Sequence, residues 1–188
     1  NPNISDIYLY YTKVPAADLT YEGKLFILRN FFKSNWDTMV KPFPRYWSLL
    51  HERGLNPGED DLNHAVRRFS AQDFLDLQVL FNLAWFGFRA KQRWSELSGL
   101  IKKGKGFSEQ DKEIVLSIQQ AVIKELIPYY RKLAEAGQIE LTTSPYYHPI
   151  LPLLWDTSLA RRASPKIPLP HPFQYPDDVR AQIEKALS

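Results

Sequence analysis

Apolar residues recur along most of this chain at the three- and four-residue spacing of a helix. Leu25, Leu28, Phe32 and Trp36 form one such row, and Phe74, Leu77, Leu80 and Phe81 another. Trp94, Leu97, Leu100 and Ile101 form a third, and Ile114, Ile118, Val122, Leu126, Tyr129 and Leu133 a fourth, the longest. Boundary signals frame these rows. Thr20, with Glu22 behind it, and Ser108 are capping residues, and Ser70 has Asp73 placed to reach back to it. Gly54 and Gly137 are stop signals, the first closing a further helix over residues 45–53. Residues 54–61 read as a polar loop, and the aromatic run from Asp6 to Tyr11 as a short helix in preference to a strand. Gly87 separates the second row from the third. Val79, Leu83 and Ala84 make the second row apolar nearly all round, so that helix is buried or ends beside something large. Pro128, inside the longest row, predicts a bend and a freed carbonyl one turn earlier.

One stretch breaks the helical period. From Gln138 to Thr143 the chain alternates, with Ile139, Leu141 and Thr143 on one face and Gln138, Glu140, Thr142 and Ser144 on the other. That predicts a strand at 138–143, followed by a rigid loop with Pro145, Tyr146, Tyr147, His148 and Pro149. Loops after the carboxyl ends of strands are where parallel α/β folds place their sites. Beyond it, residues 156–163 suit a short helix. Pro165, Pro168, Pro170, Pro172 and Pro176 then predict an extended surface run. Pro176 also suits the first position of a last helix, with Asp177 and Asp178 in its first turn and an apolar stripe of Val179, Ile183 and Leu187.

Composition narrows the class of protein. The chain has 188 residues, enough for a sizeable core, and its 44% apolar and 14% aromatic content argues for a folded chain. A net charge of +3 is too even for a nucleic-acid surface. No apolar run is long enough to span a membrane, so no membrane partner is expected. The absence of cysteine excludes disulfides and thiolate metal sites and leans toward a cytoplasmic location. His51, His64, His148 and His171 lack metal-ligand spacing, so no metal and no cofactor is expected.

Candidate chemistry concentrates after Gly137. Glu140 faces away from the apolar side of the expected strand, either as a substrate contact or as an exposed or paired strand residue. His148, between Tyr147 and Pro149, either donates to a ligand while a ring stacks beside it or hydrogen-bonds a carbonyl in a tight proline loop. Trp85 and Phe86, at the end of the most apolar helix, suit either core or stacking against a sugar face. The Lys102–Lys105 cluster reads as a solvated turn.

The run GQIELTTSPYYHPILPLL (residues 137–154) resembles the second conserved region of glycoside hydrolase family 57, whose members act on α-glucans. The resemblance extends to FSAQDFLDLQVLFNLAWF from Phe69, to GFSEQDK from Gly106 and to PLPHPFQYPDDVRAQIEKA near the end, covering the chain from about Leu19. It implies retaining chemistry by a Glu nucleophile and an Asp acid on an incomplete (β/α)7 barrel. Neither carboxylate, nor the family's opening His-Gln-Pro strand, has a counterpart here, so the chain is expected to be an interior piece of a larger enzyme. With the resemblance, Glu140, Tyr147, His148 and Trp85 become the expected substrate contacts, with no catalytic residue assigned. In a barrel, Glu140 and Thr142 would point toward its axis.

The expected architecture is mainly α with one or two short strands: a helical insertion over 1–136, a barrel strand and substrate-side loop over 137–164, and a Pro-rich linker leading into the next helix over 165–188. The expected partner is an α-glucan or maltooligosaccharide, with self-association through the strand's exposed edge. The alternative is a non-catalytic helical module that binds a protein or a polysaccharide.

Overall fold

The computed structural model describes residues 6–187, and every regular element among them is helical. The start of the expected helical region, residues 1–5, lies outside the described residues. The chain divides into two compact units, the first ending at Pro128 and the second beginning at Tyr129.

In the first unit, local chemistry sets each helix. Asp6 caps α1 (Ile7–Lys13) by accepting from the Leu9 N–H. Thr20 caps α2 (Tyr21–Asn30) through the Gly23 N–H. After a single π-type turn at Trp36–Val40, α3 (Pro44–Arg53) opens on a proline and stops at Gly54, whose φ of 98° suits glycine. Helix α4 (Glu59–Arg68) begins inside the expected loop. Glu59, Asp60 and Asp61 sit at its positive end and Arg67 and Arg68 at its negative end, a favourable charge order, and Leu62, Ala65 and Val66 form its buried face at helical spacing. Ser70 and Asp73 form the expected reciprocal cap of α5 (Ala71–Ala84). Helices α6 (Phe88–Arg93) and α7 (Ser95–Lys103) follow Gly87, and α7 ends at left-handed Gly104. Ser108 and Asp111 cap each other at the start of α8 (Glu109–Glu135), which runs 27 residues and contains Pro128 without losing its helical assignment.

Helix α5 is the axis of this unit. Phe74, Leu77, Val79, Leu80 and Leu83 are fully buried, against a core that includes Ile27, Leu28, Phe31, Leu49, Leu50, Leu97 and Val115. Its buried polar residues tie neighbours together. Gln78 donates to the carbonyls of Tyr11 and Val14, at 2.7 and 3.0 Å, and accepts from buried Lys112 of α8. Lys112 also donates to the Val14 carbonyl and pairs with Glu109 at 2.7 Å. Burial of its ammonium pulls the Lys112 pKa down against the attraction of Glu109.

The second unit differs from expectation at its centre. Helix α8 ends at Gly137 as predicted, with the Gly137 N–H on the Ala134 carbonyl and the Gln138 N–H on that of Leu133, the two bonds of a Schellman turn. The expected strand at 138–143 is absent: those residues are irregular, and among the described residues nothing pairs with them in a ladder. Alternation alone does not make a strand, because an isolated strand has no partner for its N–H and C=O groups. Nor does the alternation sort burial here, since Ile139 is half-buried but Leu141 is 60% exposed. The barrel-strand reading, with Glu140 aimed at a barrel axis, loses its support, and so does self-association through an exposed strand edge.

Helix α9 (Leu151–Trp155) forms where only loop was expected. The expected helix at 156–163 is a 3-10 turn, Thr157–Leu159, running into α10 (Ala160–Ala163). The proline-rich run is irregular and pinned at two points. Buried Thr157 exchanges hydrogen bonds with the Phe173 backbone, and the Tyr175 N–H reaches the Leu154 carbonyl at 2.7 Å. Helix α11 (Pro176–Leu187) starts on its proline and buries Val179, but Ile183 and Leu187 of the expected stripe are exposed. Among the described residues, no helix is long and apolar enough to cross a membrane.

Candidate functional site

The loop that carries Tyr146, Tyr147 and His148 is held by its own prolines and by α11. Pro145 and Pro149 fix φ on either side of the three residues. The His148 N–H closes a turn onto the Pro145 carbonyl at 2.9 Å. The Tyr146 N–H donates to the main-chain carbonyl of Gln182 at 3.2 Å, and the Tyr147 N–H to the Gln182 side-chain Oε1 at 2.8 Å. Three consecutive amides are thus satisfied, and the backbone at His148 is left in the left-handed region with φ of 54°. A residue with a Cβ meets about 1–2 kcal/mol of steric cost there. Such conformations persist only where the surroundings hold them, and they gather at functional sites.

The loop presents its side chains to solvent. Tyr147 is 69% exposed, and Tyr146, His148 and Glu140 are exposed as well. The two tyrosine rings meet edge to face with centroids 4.8 Å apart. Lys185 of α11 sets its ammonium 4.3 Å from the Tyr146 ring centre and 5.1 Å from that of Tyr147, within cation–π range of both. The result is a braced aromatic platform, with the exposed His148 next along the chain. Of the carboxylates downstream, Asp156 accepts from the Ser158 N–H at 2.8 Å, and its hydrogen bonds from Ser158 hold it below the usual carboxylate range.

Of the sequence-predicted contacts, Glu140, Tyr147 and His148 therefore share one exposed segment of the second unit. Trp85 belongs to the first unit, where the structure splits the Trp85–Phe86 pair. Phe86 joins the core at 8% exposure, whereas Trp85 is 57% exposed and touches Phe81 edge-on at 6.4 Å. Trp85 lines a cavity of about 400 Å³ with Tyr8, Leu9, Asn82, Gln119 and Ile123. Sequence reasoning missed Gln182 and Lys185. They lie three apart on one side of α11, a spacing visible in the sequence, but only the fold brings them to a loop some 35 residues earlier.

Searches among curated proteins and among solved structures returned no match to the chain. A family model does match, that of glycosyl hydrolase family 57, over residues 22–188, and this span contains the aromatic loop and its α11 brace. Because that match runs through most of both units, the chain belongs to glycosyl hydrolase family 57.

Proposed function

We propose that this chain takes part in α-glucan recognition within a retaining family 57 glycosidase or transferase, and that residues 144–150 are its sugar-contacting segment. The observation that carries the reading is the solvent-facing Tyr147 ring beside His148, whose left-handed backbone is stabilised by three consecutive satisfied amides. A maltooligosaccharide offers alternating apolar faces and hydroxyl edges. A tyrosine face covers the former, and imidazole, phenol and the Glu140 carboxylate serve the latter.

In this reading the chain contributes binding and not bond cleavage. Hydrolysis with retention needs two carboxyl groups about 5–5.5 Å apart, one as nucleophile and one as acid. The family resemblance assigns neither role to a residue of this sequence, and Asp156 is already engaged with Ser158. Electrophoresis of the 188-residue chain through gels containing amylose, alongside a reducing-sugar assay, tests this. Retardation by amylose with no sugar release is the expected result. Unretarded migration, or steady release of reducing ends, would reject it.

A further inference from the structure

We infer that Gln182 is a positioning residue for the sugar-contacting loop, acting from α11 through the amide of Tyr147; the inference rests on the saccharide reading of that loop. One residue takes two successive loop amides, the Tyr146 N–H with its main-chain oxygen and the Tyr147 N–H with its side-chain Oε1. Gln182 is half-buried, so its side chain is held between helix and loop and is not sweeping through solvent. The bond at 2.8 Å fixes the peptide plane ahead of Tyr147, and the next residue is the one at positive φ. Without that acceptor the Tyr147 amide turns to water, and the left-handed His148 loses part of what holds it. The Tyr147 ring and the His148 imidazole then sample several directions, and the ordering that a sugar would otherwise find already done falls on the binding step.

The role is specific to an acceptor oxygen, which gives a clean pair of variants. Gln182→Met keeps length and packing but offers no oxygen to the Tyr147 N–H. Gln182→Glu keeps an oxygen at the same reach. In the full 188-residue chain, amide hydrogen exchange at Tyr147 and titration with maltohexaose are read together, with a melting curve for each protein. The expected outcome for Gln182→Met is at least tenfold faster exchange at Tyr147 and about tenfold weaker maltohexaose binding, with a melting temperature close to the parent's. Gln182→Glu restores both. A Gln182→Met protein that binds maltohexaose like the parent overturns the positioning role and leaves the saccharide reading standing. A parent chain that shows no binding overturns the saccharide reading and this inference with it. Failure of Gln182→Glu to restore binding also overturns it, because the brace would then not depend on the acceptor.

Discussion

Asp76 and Phe107, 31 residues apart, are joined by a hydrogen bond of 3.0 Å from the Phe107 backbone N–H to the Asp76 carboxylate, deep in the first unit. Asp76 is 2% exposed and also accepts from Gln72 and from Arg45 of α3, so one acidic side chain links α3, α5 and the approach to α8. Replacing it by alanine leaves the buried Phe107 amide without its acceptor and takes from half-buried Arg45 one of its carboxylate partners, with Asp73 remaining. Asp76→Ala is therefore expected to cost about 1–3 kcal/mol in urea unfolding, the range for leaving a buried donor unpaired. Asp76→Asn keeps an acceptor and should cost less. Equal stability of Asp76→Ala and the parent would remove this hub from the account.

Acid should unfold the first unit through two capping carboxylates. Burial pushes Asp73 up, but hydrogen bonds from Ser70 and Arg45 outweigh it and hold its pKa below the ordinary value. Asp111 behaves alike, with Lys103 and Ser108 overcoming burial. A carboxyl whose folded pKa lies below its unfolded value of about 3.9 contributes stability above that value and loses it as pH falls through the folded pKa. Melting temperature should accordingly hold from pH 6 to about pH 4.5 and fall below it. In Asp73→Asn the fall should be shallower.

The two units should differ in local stability. Helix α5 is buried along almost its whole length. The later half of α8 exposes Ile123, Leu126, Ile127, Tyr129 and Tyr130, and beyond it Thr157 and Val179 are the buried residues among those described. Few buried contacts mean low-energy local opening. Hydrogen exchange of backbone amides should be slowest in α5 and markedly faster from the middle of α8 onward. Uniform protection across both units would contradict this.

His148 separates fold from function by a single substitution. Glycine removes the imidazole and relieves the left-handed backbone, so His148→Gly should leave stability unchanged or raised by up to about 1 kcal/mol. Loss of one hydrogen bond to a sugar hydroxyl, worth about 0.5–1.5 kcal/mol, should weaken maltooligosaccharide binding about two- to tenfold. A large drop in melting temperature would instead make the imidazole a structural strut.

The sequence made the helices legible wherever caps and apolar spacing agreed. Thr20, Ser70 with Asp73, Ser108, Gly54, Gly137 and Pro176 all bound helices in the structure. Helix α4 was hidden because its first turn lies in the polar run 54–61 and its apolar face, Leu62, Ala65 and Val66, is short, and α9 because Pro152 sits in its first turn, where proline is tolerated. The strand at 138–143 failed for a physical reason: alternation describes where side chains point, while a strand exists only if another backbone accepts its hydrogen bonds. Tyr147 and His148 stood out by their setting between prolines. Gln182 did not, because its contact with Tyr147 is tertiary and leaves no local trace.

The measurement that bears most directly on the central claim is calorimetric titration of the chain with maltohexaose, run on the parent and on Tyr147→Ala. Stacking on one aromatic ring contributes about 0.5–1.5 kcal/mol beyond the area it covers, and truncation loses both. The account predicts saturable binding by the parent, no binding of a β-linked hexaose, and at least tenfold weaker maltohexaose binding by Tyr147→Ala with an unchanged melting temperature. Identical titrations for parent and Tyr147→Ala, or no heat of binding from the parent, would contradict the assignment of this loop to α-glucan contact.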